Sequence, residues 1–161
     1  MESRSIQIKI IGLIVGIGLI ATGLVWYWQK GDLKEIKNRM VEVKKVGDGS
    51  YELTVGKEGK KISMVEMKAE VVGNKIEKFD LNEKVFNLEL MNKIQNKTKM
   101  EVIGGITKAT KDLPEGKVVI GEIVTEGRGG EINFEEIKIT YGSEAGTPIV
   151  DMITNYKLKL K

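Results

Sequence analysis

The stretch VEMKAEV, residues 65–71, alternates without a break: Val65, Met67, Ala69 and Val71 against Glu66, Lys68 and Glu70. Successive side chains of a strand point to opposite faces, so this run reads as a β-strand with one apolar and one charged face. A helix would place its apolar residues three and four apart instead. Gly73-Asn74 closes the run with a turn signal, and Ile76 and Phe79 follow it.

Working outward, the same period recurs in both directions. Towards the N-terminus, Tyr51, Leu53 and Val55 alternate with Glu52 and Thr54, between a GDGS turn at 47–50 and a GKEG turn at 56–59. Val41 and Val43 alternate with charges just before. Towards the C-terminus, Met100 and Val102 lead into Gly104-Gly105, and Pro114-Glu115-Gly116 reads as a loop. The run 118–123 is apolar on both faces, as in a central strand. GRGG at 127–130 is a turn. Ile132 and Phe134 then alternate, Glu135-Glu136 slips the phase, and Ile137, Ile139 and Tyr141 resume, which predicts a β-bulge. After GSEAGTP, a last strand carries Val150, Met152, Thr154, Tyr156, Leu158 and Leu160 at period two. Residues 81–97 fit two readings: Phe86, Leu90 and Ile94 share a helical face, while Leu88, Leu90 and the run to Ile94 also suit a strand. About eight or nine short strands at close spacing imply a sandwich of two sheets facing each other through their apolar sides.

Ahead of this all-β region stands IQIKIIGLIVGIGLIATGLVWYW, residues 6–28. From Ile10 to Tyr27 its one polar side chain is Thr22. A bilayer core takes roughly 20 apolar residues of helix, and lipid obliges a single segment to satisfy its own backbone, so a transmembrane α-helix is expected here. Trp26, Tyr27 and Trp28 suit the membrane interface. Gly12 and Gly16, then Gly18 and Thr22, are small-xxx-small pairs through which two such helices can associate. A cleaved secretory signal is the competing reading, but its apolar core spans only roughly 7–15 residues and ends at a small-residue site. The expected organisation is a tail at 1–5, a membrane helix at 6–28, a polar stalk at 29–40 and a sandwich at 41–161. Lys30, Lys34, Lys37 and Arg39 outnumber Arg4 and Lys9, which by the positive-inside count puts the domain in the cytoplasm. A signal anchor puts it outside, and display at the cell surface is the expectation carried forward.

Composition narrows the chemistry. The 161 residues include no Cys and no His, which removes disulfides, thiolates, Ser-His and Cys-His pairs and most zinc sites. The net charge is +3 with both signs interspersed, and aromatic residues make up 6%, too few for base stacking on nucleic acid. Glu135 and Glu136 are strand neighbours and face one substrate only if the bulge realigns them. No metal loop, phosphate cradle or cofactor motif is present, and both Trp lie in the apolar stretch, which disfavours a sugar-stacking face. Asn96-Lys97-Thr98 is a glycosylation sequon that matters only outside the cell. A pilin would need a processing site that Arg4-Ser5-Ile6 lacks.

Three stretches resemble cohesin-type domains, the β-sandwich modules that bind dockerins and are related in fold to some carbohydrate-binding modules. They are GKKISMVEMKAEVVGNKIEKFDL (59–81), LMNKIQNKTKMEVIGG (90–105) and EGKVVIGEIVTEGRGGEINFEEIKITYG (115–142). The second stretch favours the strand reading of 81–97. The Tyr-Asp-Pro usual in the family is replaced by Val71, Val72 and Gly73. The resemblance implies a jelly-roll or Ig-like sandwich, no catalysis and no cofactor. Its implied partner is dockerin-like, bound through an exposed sheet face and its loops, and no residue set transfers. A structural subunit of a membrane assembly and a carbohydrate-binding module are the alternatives.

Overall fold

The computed structural model describes residues 40–143 and 146–161. The expected tail, the apolar stretch 6–28 and the stalk up to residue 39 lie outside the described residues. Among those described, no helix is long and apolar enough to cross a membrane.

Eight strands and one short 3-10 turn follow each other: β1 (Val41–Gly47), β2 (Ser50–Val72), β3 (Ile76–Leu81), β4 (Leu88–Gln95), β5 (Lys99–Gly105), the turn Thr110–Asp112, β6 (Glu115–Thr125), β7 (Glu131–Tyr141) and β8 (Ile149–Lys159). All pairings are antiparallel. The first sheet runs β1, the N-terminal half of β2, β6, β3. The second runs β4, β5, the C-terminal half of β2, β7, β8. The ambiguous segment 81–97 is therefore resolved as strand over 88–95.

β2 differs from expectation. GKEG at 56–59 does not reverse the chain between two strands; it bends a single strand of 23 residues from one sheet into the other. The reason lies at Gly56, whose φ is +124° and whose missing Cβ would sit 2.2 Å from the carbonyl oxygen of Gly116. Only glycine takes that backbone and allows that approach. The register against β6 shifts between Lys57 and Lys61, so the strand turns a corner without losing direction. Pro114 caps this corner, its carbonyl accepting the Ile62 N–H at 2.9 Å.

The core forms where the two sheets meet. Val65, Met67, Ala69 and Val71 are all buried there, as their alternation requires, against Tyr51, Leu53, Val55, Phe79, Ile120 and Ile123 of the first sheet. β6 lies between β2 and β3, the central place its two-sided apolar run predicts. The predicted bulge is present: the partner of β7 shifts between Lys68 and Ala69, leaving Glu135 as the extra residue. β8 corrects the expected single phase. Asn155, at φ +52°, stands opposite Glu135 and shifts the phase of β8 in step with the β7 bulge, the register between the two strands being unbroken. Tyr156 and Leu160 therefore turn inward, whereas Val150 and Met152 turn out to solvent.

The strands define two ends. At the distal end, the 47–49, 73–75 and 126–130 turns and the C-terminus meet. Here the Gly129 N–H donates to the Tyr51 hydroxyl at 2.8 Å, and the Asn74 amide donates to Gly129 O at 3.1 Å. The buried Thr125 hydroxyl lies 2.7 Å from Gly127 O and 3.0 Å from Gly49 O, donating to one of them. At the proximal end, where the chain arrives at Met40, the β2 corner lies beside the 106–114 and 142–143 segments. The Gly142 N–H bonds Lys61 O, and the Ile106 N–H bonds Ser63 O.

Candidate docking face

The outer face of the second sheet is divided along its strands. Register sets its rows. Towards the distal end, Lys93, Glu101, Lys68, Glu136 and Thr154 form one row, and Gln95, Lys99, Glu70, Asn133 and Lys157 the next. This half is closed by ion pairs: Lys68 with Glu101 at 3.3 Å, Lys99 with Glu135 at 3.4 Å and Lys138 with Glu136 at 3.2 Å. Hydrogen bonding to Glu136, and then the charges of Glu136 and Glu66, raise the Lys138 ammonium above its ordinary pKa.

The bulge does bring Glu135 onto this face beside Glu136. The depression it borders, about 230 Å³, is lined by Lys68, Gln95, Lys99 and Glu101. Lys99 and Lys138 each neutralise one of the two carboxylates. The arrangement is a solvated charge lattice, with no nucleophile beside a base and, among the described residues, no cluster of metal-ligating side chains.

Towards the proximal end apolar side chains enter the rows at both edges, with the Lys138–Glu66 ion pair, at 3.5 Å, between them. Met91, Ile103, Glu66, Lys138 and Met152 form one row; Leu88, Gly105, Met64, Thr140 and Val150 form the other. Met152 is 57% exposed, Val150 51%, Leu88 40% and Met91 37%. Leu90, the extra residue of a bulge in β4, stands 55% exposed at the same edge. Leu88, Leu90 and Met91 cluster on β4, and Val150 and Met152 on β8 at the opposite edge; large apolar side chains clustered on an open sheet mark an interaction surface, whereas single exposed ones need no explanation. Methionine adapts its shape to a partner because its chain is unbranched and its sulfur polarisable.

No family model matches the chain, and no curated protein matches it. Solved structures to which it is similar include cohesin modules. One is a chain of the CaDoc0917–CaCohA2 complex crystallised at pH 5.5, at 9% identity and a TM-score of 0.46, covering 73% of this chain and 99% of that one. Another is the cohesin module of a Clostridium perfringens family 33 glycoside hydrolase, at 16% identity and a TM-score of 0.42, covering 76% and 94%.

The residues expected from sequence to carry function, Gly12, Gly16, Gly18, Thr22, Trp26, Tyr27 and Trp28, lie outside the described residues. The sequon falls on the β4–β5 hairpin, where Asn96 and Lys97 both have positive φ, the geometry of a type I′ turn. The docking face itself carried no local motif. Its members come from five strands, and only the register assembles them.

Proposed function

We propose that the chain is a membrane-anchored, non-catalytic binding module that holds a protein partner on the outer face of its second sheet. The observation that carries this reading is the set of exposed apolar side chains on one face, Leu88 and Met91 on β4 and Val150 and Met152 on β8, with Met64 and Ile103 between them around the Lys138–Glu66 pair, beside a charged half that can fix register. Full burial of such a side chain is worth about 1.5–3 kcal/mol, so the half-exposed ones each still hold on the order of 1 kcal/mol for a partner. Several together approach what a weak specific complex needs, and the charged rows discriminate among partners. The resemblance in sequence to cohesin-type domains supports a dockerin-like partner, and the stretch 6–28 supports anchoring by one transmembrane helix; placement of the domain at the cell surface is the signal-anchor reading, against the positive-inside count.

The test uses the full chain in detergent micelles as bait, comparing it with a Met91→Glu/Met152→Glu variant and with Glu52→Ala on the opposite sheet. The reading expects a protein captured by the parent and by Glu52→Ala to be lost from the double variant, with the thermal midpoint unchanged. Capture that survives the double variant refutes the face; retention of an oligosaccharide with no protein favours the carbohydrate reading. Gly12→Ala and Gly16→Ala separate it from a structural-subunit role, which they would abolish while partner capture persisted.

A further inference from the structure

The two ends of the sandwich treat their charges differently. At the distal end the charged turn residues neutralise one another. Lys75 and Lys97 both pair with Glu126, at 3.5 and 2.9 Å, and Arg128 pairs with Asp48. At the proximal end, the β2 corner GKEGKK (56–61) and the segment ITKATKDLP (106–114) present Lys57, Lys60, Lys61, Lys108 and Lys111 against Glu58 and Asp112. Among the described residues, none of these five lysines makes an ion pair; Lys61 reaches only the Lys111 carbonyl, at 3.2 Å. Lys57, Lys108 and Lys111 are exposed.

This end is also where the chain arrives. Val41 pairs with Val55, one residue before the corner. Eleven residues, 29–39, separate the described fold from the end of the apolar stretch. Fully extended they span less than about 40 Å, at roughly 3.3–3.6 Å per residue. A leash that short holds the domain at a high effective concentration over whatever the stretch is anchored in, so weak contacts suffice.

From these two observations we infer that the proximal end is a lipid-facing surface, on which the unpaired lysines engage anionic headgroups and hold the sandwich upright. The inference rests on the anchoring proposed above. Each lysine near an anionic leaflet is attracted without any fixed contact geometry, which fits five flexible side chains on two loops and no formed pocket. Upright placement turns the outer face of the second sheet sideways, along the membrane, with its apolar rows nearest the lipid.

The absence of Cys permits single labels. The full chain is reconstituted into vesicles of phosphatidylcholine with phosphatidylglycerol, and into phosphatidylcholine alone. Labels are placed at Glu58→Cys and Ala109→Cys for the proximal end, and at Val72→Cys and Lys161→Cys for the distal end. Quenching by a headgroup-chelated paramagnetic ion is expected to be severalfold stronger at the proximal labels in anionic vesicles. The difference should shrink in phosphatidylcholine alone, at high salt, and when Lys57, Lys60, Lys108 and Lys111 are changed to Glu. Equal quenching at both ends of a chain that floats with the vesicles overturns the inference and leaves anchoring intact. A chain that does not float overturns both. Proximal labels that crosslink to a protein and escape quenching assign this end to a protein partner and overturn it as well.

Discussion

Two tyrosines buried to the same degree should respond oppositely to the same substitution. Tyr51 and Tyr141 are 0% and 1% exposed. The Tyr51 hydroxyl accepts the Gly129 N–H at 2.8 Å, so Tyr51→Phe strands a donor. An orphaned buried donor costs about 1–3 kcal/mol; Gly129 is half-buried, so water recovers part of this and the expected loss is about 1–2 kcal/mol. In a domain of roughly 120 residues, where 1 kcal/mol moves Tm by about 3–6 °C, that is a fall of roughly 3–12 °C. The Tyr141 hydroxyl has no partner at hydrogen-bond geometry, although the Asp151 charge lies near it. Tyr141→Phe removes a desolvated polar atom whose one nearby polar group, Asp151, lies outside good hydrogen-bond geometry, so its cost is within about 0.5 kcal/mol of zero, or a small gain. The assay is thermal unfolding of the full chain in detergent, followed by circular dichroism at neutral pH. A fall for Tyr141→Phe equal to that for Tyr51→Phe would refute the reasoning, since hydrogen-bond accounting would then not separate the two sites.

Burial, and then the negative charge of Asp151, push the Tyr141 phenol well above its ordinary pKa. The unfolded chain loses this proton near pH ~10 while the folded chain keeps it, so stability falls as pH rises beyond that point, by up to about 1.4 kcal/mol per pH unit; Tyr141→Phe should flatten this slope in alkaline denaturant titrations. Gly56→Ala places a Cβ 2.2 Å from Gly116 O on a backbone at φ +124°, and should lower stability by about 3 kcal/mol or more in denaturant unfolding. Asn155→Gly should be close to neutral, whereas Asn155→Val, forced to φ +52°, should cost about 1–2 kcal/mol in the same measurement. Lys99→Ala removes an ion pair whose members are both at least half exposed, and a change in stability above about 0.5 kcal/mol would contradict the low value assigned to that lattice.

Much of the sandwich was legible from period alone. The faces of 65–71, the centrality of 118–123 and the bulge at Glu135 each follow from which side chains must avoid water, and that is a local property. Two features were not legible. GKEG carries the composition of a hairpin turn, and only the approach of Gly116 to Gly56 shows that it is a corner. In β8 the run of six apolar or half-polar residues at period two concealed a change of face, because Asn155 can enter the left-handed region and a pattern of residue types does not record φ. That hidden change of phase is what sends Val150 and Met152 outward. The docking face was therefore invisible twice: once in the phase of β8, and again because Met91 and Met152 share one row only across three intervening strands.

β2 belongs to both sheets along one unbroken backbone. Neither layer can then melt as a separate foldon, because opening one withdraws the central strand of the other. Amide exchange in β5, β6 and β7, the inner strands paired directly to β2, should consequently proceed through a single global opening, with frayed exchange confined to the edge strands β1, β3, β4 and β8. The same strand brings together residues far apart in sequence before either layer gains its stability, which places this fold among the slow-folding topologies.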